Sequence, residues 1–194
     1  MKVSKAQAQA NRARIVETAS RLFRERGYDG VGVAELMSAA GFTHGGFYKH
    51  FRSKAALMAE AAAFGFSQTA ARSDGVDIVE YVKTYVSRWH RDRRSDGCTL
   101  AALGGDASRQ PEAIKAMFAE GIERMLADIE RDGSVLGDGD PEKARAKAID
   151  MLAHAVGAIV LSRACPDDSF LADEILSVCR AELLVTLSST TPTT

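Results

Sequence analysis

GFTHGGFYKHFRSKAAL, residues 41–57, sets two adjacent glycines among aromatic and basic side chains within an otherwise helical sequence. Gly45 and Gly46 each cost a helix about 1 kcal/mol relative to Ala, so a segment carrying both gains something other than helix stability. Apolar residues recur at helical spacing around it. Ile15, Ala19, Leu22 and Phe23 form one stripe of a helix predicted over residues 9–26, which Gly27 closes. Val33, Leu36, Met37 and Ala40 mark a short helix over 33–40, after which Gly41-Phe42 turns the chain. Thr43 offers a hydroxyl N-cap to a third helix over 44–51, and Ser53 offers one to a fourth over 54–71. Helix, glycine turn and short helix over 33–51 have the length and punctuation of a helix-turn-helix. Leu36 and Ala40, facing Phe47 and Phe51 four residues apart, supply the apolar lock between the two helices.

The opposite face of the third helix then presents His44, Gly45, Tyr48 and Lys49. Without side chains at Gly45 and Gly46 the backbone can come close to a duplex, while His44 and Lys49 reach base edges in the major groove. Tyr48 and His50 flank them with hydrogen-bonding tips suited to phosphates. Lys54, beside the first free N–H groups of the next helix, suits a phosphate clamp. Charge obeys the same division. The chain carries 25 Lys and Arg against 26 acids, yet residues 1–54 hold +6 and residues 55–194 hold −7. A basic N-terminal stretch on an acidic body suits contact with a polyanion, although charge alone fits a solvated helix face equally well.

Composition bounds the rest. The 194 residues are 46% hydrophobic and 26% charged, ordinary values for a globular chain long enough to bury a sizeable core. The longest apolar run, residues 155–161, is far too short to span a bilayer. The N-terminus lacks an apolar leader segment, so no secretion signal is expected. Three cysteines without C-x-x-C spacing predict neither a disulfide framework nor a zinc site, and suit a reducing cytoplasm. No strand alternation is sustained anywhere. Further helices are predicted over 77–94, 99–108, 111–132, 141–164 and 168–187, giving an all-α chain of about nine helices; the tail 189–194 is expected to be disordered.

In its N-terminal positions the sequence resembles a known family, the TetR-like bacterial transcriptional repressors. The resemblance rests on Gly27-Tyr28, Ala40-Gly41, Phe42-Thr43 and YKHFRSKAAL over residues 48–57, and it covers about residues 11–60. It implies that Thr43, His44, Gly45, Tyr48, Lys49, His50 and Lys54 touch DNA; Gly46 joins them as the second open glycine. One position departs from the family pattern. Gly32 stands where the family usually begins its second helix with a hydroxyl residue, so that phosphate contact is not carried over. The string WHRDRRSDGCTLAALGGD, residues 89–106, also resembles a segment found in one branch of these regulators.

The resemblance further implies a DNA-binding domain over residues 1–53, with a short flexible N-terminal arm, and a helical ligand-binding and dimerisation domain over 54–188. The expected partners are a double-stranded, palindromic operator, a small-molecule effector, and a second copy met through helices 141–164 and 167–187; no cofactor, metal or membrane is called for. The stripes Ile149, Leu152, Val156, Ile159, Val160 and Leu171, Ile175, Val178, Leu183, Leu187 could build that four-helix interface or could face their own core. Periodicity does not separate the two. Tyr81, Tyr85, Trp89, Met117, Phe118 and Met125 are candidate pocket walls with His154 as polar contact, and Phe64, Phe66 and Met151 are further candidates; each fits a plain core role as well. Cys98, at the start of helix 99–108, is a candidate electrophile or oxidant sensor, though a small buried thiol fits there too. Two rival readings stand beside the regulator: a helical enzyme, for which no catalytic motif speaks, and a binding module that has lost DNA recognition, which Gly32 allows.

Overall fold

The fold, taken from a computed structural model, describes residues 4–132 and 140–188. The first three residues of the expected N-terminal arm, most of the loop before Pro141 and the tail 189–194 lie outside the described residues. Nine α-helices and two 3₁₀ turns make up the described chain. Helix α1 (Lys5–Arg26) starts four residues earlier than its apolar stripe predicts, because Ser4 caps it by accepting from the Gln7 amide at 3.1 Å. It ends at Gly27, whose φ of +77° only glycine adopts freely. Then come α2 (Val33–Ala39), a 3₁₀ turn over His44–Lys49, and α3 (Lys54–Ser73), capped by Ser53. The body continues with α4 (Ile78–Tyr85), α5 (Arg88–Asp92), a second 3₁₀ turn (Arg94–Asp96), α6 (Thr99–Ala107), α7 (Glu112–Asp132), α8 (Pro141–Ala164) and α9 (Phe170–Ser188). Among the described residues no helix is long and apolar enough to cross a membrane.

Packing runs through two main cores. The first joins Ile15, Phe23, Leu36, Phe47 and Phe51 of the N-terminal helices to Leu57 and Phe66 of α3, and continues into Leu103, Ile114 and Phe118. The second gathers Val82 and Tyr85 of α4, Met151 and Ile159 of α8, and Leu176, Leu183 and Leu187 of α9. Close approach of α1, α3 and α6 depends on Gly65, where a Cβ would lie 2.2 Å from Thr99 Oγ1 and 2.7 Å from the Arg24 guanidinium.

One predicted helix is broken. The run expected over 77–94 divides at Val86, whose φ of −89° and ψ of 69° leave the helical region. Ser87 restarts the chain as the N-cap of α5, accepting from the His90 amide at 3.3 Å. The Tyr85 carbonyl is not lost to solvent, because His90 Nδ1 lies 2.7 Å from it. On the other ring edge, His90 Nε2 accepts from the Cys98 amide at 2.9 Å, which fixes Nδ1 as the protonated nitrogen. Gly97 makes this possible, since a Cβ there would sit 2.8 Å from Nε2. A neutral, buried imidazole thus pins the end of α4 to the start of α6.

Burial pushes the His90 pKa down to about 4. Since that lies below the unfolded value near 6.5, the stabilisation is complete above pH 6.5 and drains away as the pH falls towards 4. Urea unfolding across this interval should show His90 contributing a loss of about 3 kcal/mol. His90→Asn should be less stable at neutral pH and should lack this pH-dependent component; an unchanged profile would remove His90 from that role.

Candidate nucleic-acid interface

The segment between α2 and α3 builds its surface from local rules. Gly41, at φ +82°, reverses the chain, and the Phe42 amide bonds back to the Met37 carbonyl at 2.8 Å. Thr43 is extended and exposed, and its side chain makes no capping bond. Residues 44–49 then form a 3₁₀ turn instead of the predicted α-helix over 44–51. The paired glycines weaken α-propensity here, and the turn is held from within: Phe47 is fully buried, stacked on Phe51 at 5.6 Å and edge-on to Tyr48 at 5.3 Å.

The outer face is open. Gly45 would meet nothing within 4 Å if it bore a Cβ, so the fold itself does not ask for glycine there. Gly46 faces inward to Met37 and the Thr43 hydroxyl at 3.6 and 3.7 Å. Beside them His44 and Lys49 are exposed, and Tyr48 keeps 72% of its surface in solvent, a large value for an aromatic side chain. His50 is half-buried between the rings of Phe42 and Phe51, and its carbonyl accepts from the Arg12 guanidinium. Arg12 lies 4.2 Å over the Phe51 ring and pairs with Glu60. Lys54 Nζ donates to the Tyr28 carbonyl at 2.5 Å, which positions it and leaves two of its three N–H bonds for other acceptors. A further cation joins the face. Arg14 of α1 leans on the Gly41 turn and over Phe42 at 5.9 Å. No spacing in the sequence links residue 14 to residue 41; the pairing arises from packing alone.

The body holds a narrow apolar cleft between α3, α4, α7 and α8. Of the candidate walls, Tyr81, Tyr85, Met125 and Met151 line it, together with Asp128, Ile129 and Ala155. Trp89 lies in the adjoining recess with His90, Arg72 and Cys98. Five candidate wall residues lie elsewhere, Phe64 and Phe66 with the first core among them. Phe118 is core, packed edge-on against Phe66 at 5.3 Å, while Met117 and His154 line neither space. Their helices each turn several faces, and periodicity alone does not say which one meets the cleft. Tyr85 is the notable wall: it is only 7% exposed, and its hydroxyl has no well-formed hydrogen bond, with the Cys98 thiol as its neighbour. Burial raises the phenol pKa well above 10, so it stays a proton donor. Cys98 is a free thiol, only 4% exposed.

Helices α8 and α9 show two apolar faces. Leu152, Ile159, Leu183 and Leu187 point into the body, whereas Ile149, Val160, Leu161, Leu171, Val178 and Val185 stand 46–58% exposed. Each sequence stripe is therefore split, part of it packed into the body and part facing outward.

Comparison with known proteins agrees with this architecture. Residues 15–61 match the family described as bacterial regulatory proteins, tetR family. An uncharacterised HTH-type transcriptional regulator of Bacillus subtilis, YerO, is 38% identical over 143 residues, 60% of this chain and half of that protein. The HTH-type transcriptional regulator TtgR of Pseudomonas putida is 27% identical over 191 residues, covering 89% of each chain. Among solved structures, AibR, crystallised with isovaleryl coenzyme A and operator DNA, superposes with a TM-score of 0.58 at 18% identity over 89% of this chain and 97% of its own. The relatives are transcriptional regulators, and the enzyme reading falls away.

Proposed function

We propose that this chain is a TetR-like transcriptional regulator, a repressor which binds a palindromic operator as a homodimer and leaves it when a small molecule fills the body. The observation that carries the reading is Gly45: a glycine the fold does not require, at the centre of an exposed face lined by His44, Tyr48 and Lys49. In this reading Thr43, His44 and Lys49 meet base edges, with Gly45 and Gly46 allowing the approach. Tyr48, His50, Lys54 and Arg14 meet phosphates. Residues 1–53 form the DNA-reading unit and residues 54–188 the sensing and pairing unit. Such a protein works in the cytoplasm.

Pairing is supported by the exposed apolar faces of α8 and α9, which monomeric proteins rarely leave open. Two reading faces would then sit about 34–36 Å apart, one turn of the duplex. Sensing is supported by the apolar cleft and by the Tyr85 hydroxyl inside it, which lacks a well-formed hydrogen bond and would donate to an acceptor on an otherwise apolar effector. AibR's joint crystallisation with a coenzyme A thioester and operator DNA suits the same scheme. A path between the sites is at hand in α6. Cys98 at its start borders the recess, and Asp106 near its end accepts from the Tyr28 amide at 3.0 Å, directly behind the DNA-reading unit. Displacing α6 would change the separation of the two reading faces.

The test is selection of bound duplexes from a random library, then titration of the winner against salt. Log affinity should fall linearly with log salt, by about 10³-fold between 50 and 200 mM for six phosphate contacts. The consensus should be two-fold symmetric. Failure to enrich any duplex, or an affinity indifferent to salt, would overturn the reading.

A further inference from the structure

A second charged feature lies away from both the reading face and the apolar cleft. Where α5, the 3₁₀ turn Arg94–Asp96 and the C-terminal end of α8 meet, two adjoining recesses share Arg94 and Arg163 as wall residues. One recess is completed by Arg88, Arg91, Asp92 and Asp167. The other opens towards the end of α1, with Arg24, Glu25 and Asp106 among its walls.

The acids here are already spoken for. Asp92 pairs with Arg88 and Arg91, Asp167 with Arg91, and Asp106 with Arg109 and the Tyr28 amide. Arg88 and Arg91 share those acids and Arg26 pairs with Glu35, whereas Arg24, Arg94 and Arg163 pair with no carboxylate among the described residues. Arg163 gives Nε and Nη2 to the Arg91 and His90 carbonyls at 2.9 and 2.8 Å, neutral acceptors that leave its charge uncompensated. Its Nη1 is buried with no partner at all. Arg24 likewise bonds only neutral oxygens, of Ser95, Ser20 and Gln68. The Arg94 side chain makes no hydrogen bond or ion pair among the described residues. Glu25, exposed on the rim, is the single carboxylate of the second recess without such a partner. Like charges held together are unfavourable unless something of opposite sign joins them. Burial and the proximity of Arg94 indeed push the Arg163 pKa down.

We propose that Arg94 and Arg163 form a binding site for a small oxyanion, a phosphate or carboxylate group, in the cleft between the end of α1 and α8. Planar guanidinium groups suit such a group through paired, charge-assisted hydrogen bonds. The exposed Arg94 guanidinium supplies the accessible donors, and the Arg163 charge beside it, compensated by no acid, adds attraction. Because the walls come from α1 and α8, an anion seated there links the DNA-reading unit to the pairing helices. This site is independent of the apolar cleft and of whatever effector fills it.

Calorimetric titration of the full-length protein with inorganic phosphate, and separately with acetate, at constant ionic strength in chloride, tests it. Saturable binding at one ion per chain is expected for one of the two probes, and the probe that binds identifies the class. Arg94→Gln, at an exposed position, should keep the fold by circular dichroism and weaken binding at least tenfold; Arg163→Lys should weaken it as well. Lys49→Ala should leave it unchanged, which separates this site from phosphate held at the reading face. Equal binding by Arg94→Gln, no binding of either probe beyond chloride, or loss of dimers in Arg94→Gln without any effect on anion binding would each overturn the proposal.

Discussion

Gly45→Leu should leave the fold intact and remove operator binding. A side chain at residue 45 enters open space, and the backbone there is not in the left-handed region, so stability should change by no more than about 1 kcal/mol. The same side chain projects from the centre of the face flanked by His44, Tyr48 and Lys49, where the backbone must approach base edges. Holding that backbone off by the depth of a leucine breaks every base contact of the half-site and strains the phosphate contacts beside it. Fluorescence anisotropy with the selected duplex should show at least a 100-fold loss of affinity, about 2.8 kcal/mol. Thermal unfolding should superpose on that of the parent. Undiminished binding by Gly45→Leu would mean that DNA meets a different surface.

Val178→Glu should dissociate the proposed homodimer and carry the proposed operator binding down with it. Val178 stands 55% exposed on α9, between Leu171 and Val185 on the same open face. In a monomer the half-exposed position leaves the carboxylate in water and the substitution costs little. In a two-fold pair it buries a carboxylate without a partner at roughly 3–5 kcal/mol, and the symmetry counts that penalty twice. Sedimentation equilibrium should show the dimer constant weakened by at least three decades. Operator affinity should drop in parallel, since one short reading element holds a half-site only weakly. A persistent dimer would move the pairing surface away from α9.

Much of this architecture is legible from local signals. Gly27 ends α1 where a C-terminal glycine should, and Asp140-Pro141 and Pro166 bracket α8 within a residue of expectation. The apolar lock of Leu36, Ala40, Phe47 and Phe51 is buried as the spacing requires. What escapes the sequence depends on distant partners. The break at Val86 carries no Gly or Pro; it is stabilised by His90 reaching Cys98, eight residues on, past a glycine that makes room. The reading segment is a 3₁₀ turn because two glycines leave the choice of helix to the packing of Phe47. Cleft membership is harder still. Phe118 and Asp128 share α7, yet the aromatic one is core and the acidic one lines the cleft, the reverse of what composition suggests. Arg14 and Lys54 find their acceptors and neighbours only once α1 and α3 have packed.

The first core also limits how the chain can be recombined. Its apolar contacts pass without a gap from Phe47 and Phe51, through Leu57 and Phe66, to Leu103 and Phe118. The amino-terminal quarter is therefore no interchangeable cassette on a swivel. A chimera spliced after residue 53 would inherit half a wall and expose the remainder to water, so transplanting the recognition specificity onto another sensor demands the seam as well: α3 together with the inner residues of α6 and α7.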